Sequence, residues 1–466
     1  MQKEPIFAIP TCRLRDVADT VQAYDRHFAD NGHSLRMTVF DDSGALLHRR
    51  YFSRLAQQKT KNELFYVGPA EKTALREHLE SKLGESSLTP LVAELFRPSY
   101  GGNRNYTLLY SLGSYLVSAD DDMRPYALIE DDDNDFGANE ICRGKVVRAT
   151  EAPRERRTSD ILGAFLDVLG KPAARVPEGY ARGDFLIDTA TDLETNTTRE
   201  FARDNRLLLR DGDVDGSSVV KMAQTFRSGT NDIDAVDFIE LFLRDGAQTS
   251  MDTLGDIYVL TRFRPVITNK NWRMDCGVAA YDNVDGLPPF FPTRLRFEDY
   301  IYRLWIQQPG ISAAHVPAAQ NHTRSIYMRN PPASEILNEE VANLLKRKIF
   351  ASVTGLGQLG VAFDYDGELE AEDAEIILEK MHRLMDRVLS ASEQARDVRR
   401  RDELLRFSAT LDSTFFGFDH DAFTHALART LTSTVRRIKG SLALWPLLLE
   451  ICDPNGRRDL PQTRLN

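Results

Sequence analysis

The sequence has four cysteines in 466 residues, Cys12, Cys142, Cys276 and Cys452, and their spacing makes neither a CxxC pair nor a zinc-ligand pattern. A disulfide framework is not what organises such a chain, and reduced thiols in a cytoplasmic protein are the expectation. Positive charge is in deficit as well: 59 Lys and Arg face 70 Asp and Glu, a net charge of -11, which argues against a nucleic-acid binder that tracks the phosphate backbone. The longest apolar stretch near the C-terminus, residues 442–452, is interrupted by Pro446 and Glu450 and is too short to span a bilayer. The opening MQKEPIFAIPTC has no basic start and no extended apolar core, so no secretory leader is expected, and peripheral membrane attachment stays open. The sequence has no internal repeat.

What is present is an ordinary globular composition, 42% hydrophobic and 28% charged, in a chain long enough for two or three structural units. Residues 6–9 read as a buried strand. Val17, Val21, Tyr24 and Phe28 then recur at helical spacing, and Asn31-Gly32 supplies the stop. Leu35, Met37 and Val39 alternate with polar residues as a second strand that runs into Asp41-Asp42-Ser43-Gly44, which makes a βαβ opening. Residues 69–83 read as a helix with proline in its first turn. Next come Gly101-Gly102-Asn103-Arg104-Asn105, an apolar helical run over 106–112, and a short strand over 115–117 closed by Asp120, Asp121 and Asp122. In a wound α/β sheet, ligands sit beyond the carboxyl ends of the strands, so both aspartate groups are expected on one rim. Residues 130–256 lose the pattern and read as an insertion or subdomain. The α/β unit resumes from 257 and ends near 330, and residues 331–466 read as mostly helical.

Clustered aspartates raise one another's pKa, a cost that a divalent cation relieves. Hard oxygen ligands suit Mg²⁺ or Mn²⁺, with Asp120 and Asp122 as the pair. Each motif also has an ordinary reading: a solvated acidic turn for the triplet, a capped turn for Asp42, helix-dipole acids for Glu298 and Asp299, a structural histidine for His322.

Order distinguishes these alternatives. SYLVSADDDM (114–123) resembles the strand and DxD element of the large inverting glycosyltransferase family 2, which has the GT-A fold. FAIPTC (7–12) followed by VFDDSG (39–44) is similar to that family's first strand and base-contacting aspartate, and GGNRN (101–105) to its donor-approaching segment. CGVAAYDNVDG (276–286), RLRFEDYIYRLW (294–305) and NHTR (321–324) resemble the acceptor-side strand, the ED helix start and the metal histidine. The resemblance implies a GT-A domain over 1–330, including the 130–256 insertion, and says nothing of 331–466.

It implies Asp299 as general base with Glu298 beside it. Metal ligands would be Asp120, Asp122 and His322, and donor contacts would come from Pro10, Thr11, Asp41, Asp42, Gly102, Asn103, Arg104, Asp121 and Arg324. The implied activity is metal-dependent transfer of a sugar, from a nucleotide-sugar donor with a UDP-sugar favoured, to a glycan, lipid-linked or protein hydroxyl, with inversion. A sugar nucleotidyltransferase is the enzymatic alternative, although Pro10-Thr11-Cys12-Arg13-Leu14-Arg15 lacks the glycines such an enzyme needs after its first strand. A non-catalytic GT-A scaffold is the other, with the C-terminal helices available for self-association.

Overall fold

Strand β1 (Ile6–Thr11) is buried along its whole length, as a parallel strand covered by helices on both faces must be. Helix α1 (Leu14–Asp30) buries Leu14, Val17, Val21, Tyr24 and Phe28, one stripe at 3.6-residue spacing, and ends where Gly32 takes φ +77. Then follow β2 (Arg36–Asp41), α2 (Ala45–Ala56), β3 (Glu63–Val67), α3 (Pro69–Leu83), α4 (Thr89–Leu95), α5 (Tyr100–Ser111) and β4 (Ser114–Ala119). The computed structural model describes residues 4–131, 137–147, 156–187, 205–210, 212–230, 257–269, 277–295, 297–323, 333–396, 398–417, 420–452 and 460–465.

These strands lie in the order β3-β2-β1-β4, all parallel, inside a mixed 15-stranded sheet. The order reverses between β1 and β4, and such a switch point opens a crevice at the carboxyl ends. Here the opening is visible in the register. β1 pairs with β2 as far as Thr11 and Asp41, but with β4 only from Ile6 and Leu116 to Ala8 and Ser118. Pro10, which has no N–H to donate, falls where β1 has already left β4.

Beyond β4 the sheet continues through antiparallel Val278–Asn283 and then Val219–Thr230, which pairs in parallel with Ile311–His322. Strands Glu140–Val147 and Asn205–Arg210 extend the same sheet, so part of the 130–256 stretch joins it directly, while Arg156–Arg157 pairs with Ala127–Leu128 in a separate two-stranded sheet. The C-terminal region is helical, with Ala333–Ala351, Ala371–Gln394, Val398–Leu411 and His420–Ile451, and one hairpin, Val353–Gly357 with Gly360–Phe363. Its residues Leu384, Trp445 and Leu448 share one apolar core with Phe40, Val67 and Leu108 beside the sheet. Trp445 Nε1 donates to Leu287 O at 2.6 Å. The last strand, Thr463–Arg464, pairs antiparallel with β3 and covers that edge of the sheet.

Helix α5 starts at Tyr100, so GGNRN lies in its first turns rather than in a preceding loop. Ser99 caps it by accepting from Gly102 N at 3.0 Å. Its glycines are demanded by packing: a Cβ on Gly101 would sit 1.9 Å from Phe291 O, and one on Gly102 2.0 Å from Arg97 O. Asn105 clamps the same neighbour through Phe290 N at 2.8 Å and Phe290 O at 3.1 Å. Because Phe291 N in turn donates to Glu298 O at 3.2 Å, this contact positions the acidic pair at 298–299. Gly101→Ala is therefore expected to destabilise the fold by about 3 kcal/mol or more, the cost of overpacking against fixed backbone. Urea denaturation would read it, and an unchanged midpoint would contradict this packing.

Candidate functional site

The acidic triplet follows β4 as a tight turn, with Met123 N donating to Asp120 O at 3.1 Å, and its three side chains diverge. Asp121 points inward. Its carboxylate accepts from Thr11 Oγ1 and from the Arg13 guanidinium, and its carbonyl from Thr20 Oγ1. With both carboxylate oxygens engaged and the residue 1% exposed, Asp121 ties β1 and α1 to the rim of β4. Arg13 also reaches Asp122 Oδ2 at 2.7 Å. Arg13 is a site residue that the motif reading passes over, because a single arginine after a strand carries no periodic signal.

His322 arrives from far along the chain. Strand Ile311–His322 pairs antiparallel with Met123–Arg124, and Thr323 donates to Asp122 O through N at 3.0 Å and Oγ1 at 2.8 Å. The Nδ1 of His322 lies 2.8 Å from Thr230 O and 2.7 Å from Thr230 Oγ1. A carbonyl only accepts, so Nδ1 carries the hydrogen and Nε2 presents a lone pair in the neutral ring. That lone pair faces Asp122 Oδ2 at 3.7 Å, too far for a hydrogen bond. The same oxygen accepts from Arg13 Nη2 at 2.7 Å, so a proton on His322 Nε2, or a metal ion held by both side chains, would sit beside that ion pair. Burial works against the Asp122 carboxylate, but the charge and N–H of a protonated His322 ring and the Arg13 guanidinium outweigh it and hold the group well below the usual carboxylate range.

Asp120 turns the other way. Its Oδ1 accepts from Arg104 Nη2 at 2.6 Å, and Arg104 Nε lies 3.9 Å from Glu298 Oε1. Burial, with neighbouring carboxylates adding to it against the pull of Arg104, pushes Asp120 up to about 7. Burial and the Asp299 charge likewise push Glu298 up to about 7. Both groups hold their protons more tightly in the folded chain than their ordinary values of 3.8 and 4.5, so each lowers stability as pH rises between about 4 and 7. Glu298→Gln removes one such group. In EDTA, its stability is expected to fall less steeply than that of the wild type across that interval, measured as urea midpoints. An identical slope would contradict the pairing of these acids around Arg104.

At the end of β2 the two aspartates separate. Asp41 is fully buried, accepting from Ser43 N at 2.7 Å and Tyr66 Oη at 2.8 Å. Asp42 pairs with Lys72 Nζ at 2.5 Å, and the same ammonium donates to Asp41 O at 3.0 Å and Asn103 Oδ1 at 2.7 Å. Desolvation raises the Asp42 pKa and lowers that of Lys72, each opposed by the partner's charge. Asn103 Nδ2 in turn donates to Thr11 O at 3.3 Å and Phe40 O at 3.0 Å, fastening α5 across the ends of β1 and β2. Lys72 is the second residue the sequence reading misses. It looks like an ordinary helical lysine until the fold buries it.

The structure thus links Thr11, Asp121 and Asp122, with His322 facing the last, in one cluster, and Arg104, Asp120 and Glu298 in another, with Asp42, Asn103 and Lys72 at the β2 end. Asp299 stands next to Glu298 at the start of Tyr300–Trp305, where its side chain makes no capping bond. Pro10 offers no polar group, and Arg324 lies outside the described residues. The expected three metal ligands do not converge: Asp120 is drawn to Arg104, and among the described residues no group of three His, Cys, Asp or Glu side chains is arranged as a cation cage. The Asp122 and His322 pair fits a cation that completes its shell from elsewhere, as Mg²⁺ commonly does with water and phosphate oxygens. No helix among the described residues is long and apolar enough to cross a membrane. No family model matches this chain and no curated protein matches it, so the reading of the site rests on its geometry.

Proposed function

We propose that the protein is a metal-dependent GT-A glycosyltransferase that binds a nucleotide-sugar, a UDP-sugar in the favoured case, in the crevice between β1 and β4. The observation that carries this reading is the approach of Asp122 Oδ2 and His322 Nε2, from segments about two hundred residues apart, with the histidine oriented by Thr230. Asp122 and His322 would hold Mn²⁺ or Mg²⁺ there, which when bound supplies Lewis-acid stabilisation of the departing diphosphate. Arg104, between Asp120 and Glu298, is placed to bring a guanidinium to the same phosphates. The Lys72–Asp42–Asn103 cluster shapes the nucleoside end.

Asp299 accepts the proton of the acceptor hydroxyl as that oxygen bonds to the anomeric carbon, and the bond from that carbon to the diphosphate breaks on the opposite face, with inversion. Glu298, held beside Arg104, positions this end of the site. The acceptor is a hydroxyl of a glycan, a lipid-linked sugar or a protein. Release of nucleoside diphosphate from UDP-, GDP- and dTDP-sugars, each with Mn²⁺ or EDTA, tests the reading. Metal-dependent release from one donor supports it; no release from any donor, with added simple sugars as acceptors, counts against it.

A further inference from the structure

On the far side of Asp41 the chain forms a second cleft of about 530 Å³, between the N-terminal ends of α2 and α3 and walled by Thr463 of the last strand. It shares no lining residue with the crevice described above. Its volume falls within the ordinary range for small-molecule sites. Three rings make its inner corner: His48 stacks on Phe52 at 5.0 Å and 28°, and Phe52 meets Tyr66 at 4.9 Å and 64°. Such a corner accepts a flat ring by stacking and edge contact. The Tyr66 ring packs directly on Gly68, where a Cβ would lie 2.3 Å from it.

The polar groups of the cleft are equally constrained. The Tyr66 hydroxyl donates to Asp41 Oδ2, so it accepts from His48 Nδ1 at 2.9 Å. Nδ1 therefore carries the ring hydrogen, and Nε2 of neutral His48 is an acceptor that makes no hydrogen bond among the described residues. Glu71 has both oxygens engaged, by Gly68 N at 3.0 Å and Thr463 Oγ1 at 2.6 Å. Glu71 keeps its charge but has no oxygen left for a visitor, whereas Arg49, exposed on the rim, makes no ion pair among the described residues and is the cation that a visitor's anionic group can reach.

We propose that this cleft is a binding site for a planar aromatic acid. The ring lies against Phe52 and Tyr66, a ring N–H or O–H donates to His48 Nε2, and the carboxylate pairs with Arg49. The inference stands independently of the glycosyltransferase reading.

The test is saturation-transfer NMR on the full chain with 4-hydroxybenzoate and indole-3-carboxylate as probes, and cyclohexanecarboxylate as the non-aromatic control. Saturable binding of both aromatic probes, and little of the control, is expected. Arg49→Ala should weaken it about tenfold through loss of a charge-assisted contact. His48→Phe, which keeps a ring but removes the acceptor, should weaken 4-hydroxybenzoate more than benzoate, a further probe that lacks the hydroxyl donor. UDP with Mn²⁺ should leave binding unchanged. No saturable binding at millimolar probe, equal binding by both variants, or displacement by UDP would each overturn the assignment.

Discussion

Asp122→Asn is expected to abolish the stabilisation that a nucleoside diphosphate and Mn²⁺ give together. A ligand that binds only the folded state stabilises it by about 2.7 kcal/mol at a hundredfold excess over its dissociation constant. Asparagine keeps the shape of Asp122 but loses the charge, leaving His322 Nε2, 3.7 Å from the original Oδ2, without an anionic co-ligand. The substitution also separates two effects of pH. The folded pKa of Asp122 is depressed, so its stabilising pairing with Arg13 and His322 is present above the ordinary value of 3.8 and lost on acidification through the folded value. Asp122→Asn should remove that acid-side loss as well as the metal response. Thermal unfolding in Mn²⁺ and in EDTA, with and without UDP, measures both, and an undiminished metal-dependent shift in the variant would remove Asp122 from the site.

Asp299→Asn is expected to cut the transfer rate by about 10² to 10⁴, the range for loss of a positioned general base, while metal-dependent UDP binding stays intact. Glu298→Gln behaves differently, because Glu298 faces Arg104 and through it Asp120. It should change donor affinity along with rate. A kcat and KM comparison of the two variants distinguishes these roles. If Asp299→Asn lost UDP binding, or if Glu298→Gln lost only rate, the assignments within the pair would have to be exchanged.

The parts of this architecture legible in the sequence are those whose cause is local. The 3.6-residue stripe from Leu14 to Phe28, the alternation before Asp41 and the proline at the start of α3 each signal their element within a few residues. Strand Glu63–Val67 is a short apolar run, Leu-Phe-Tyr-Val after Glu63, whose pattern alone does not separate a strand from a turn of helix. The central strands Val219–Thr230 and Ile311–His322 are different. The second reads Ile-Ser-Ala-Ala-His-Val-Pro-Ala-Ala-Gln-Asn-His, small and polar residues whose strand character comes from pairing with a partner some ninety residues away. Long-range pairing of that kind overrides local propensity and leaves no local trace.

The site divides along the same line. Motif order singles out Asp120, Asp122, His322, Arg104 and Glu298, and in the fold Asp120 pairs with Arg104 near Glu298 while Asp122 faces His322. Their division of labour was not legible. Nothing in the triplet itself says that Asp121 turns inward to Thr11 and Arg13, that Asp120 turns to Arg104, or that Asp122 alone meets the histidine. Thr230, which fixes the tautomer of His322, comes from the stretch that reads as an insertion. The Gly101-Gly102 pair, suggestive of backbone approaching a phosphate, owes its glycines to the carbonyls of Phe291 and Arg97.

The central claim is a donor site whose affinity depends on a divalent cation, and calorimetric titration of UDP into the wild-type protein tests it most directly. Saturable binding in Mn²⁺ that disappears in EDTA is the predicted result; binding that is the same with and without the metal, or absent in both, would contradict it.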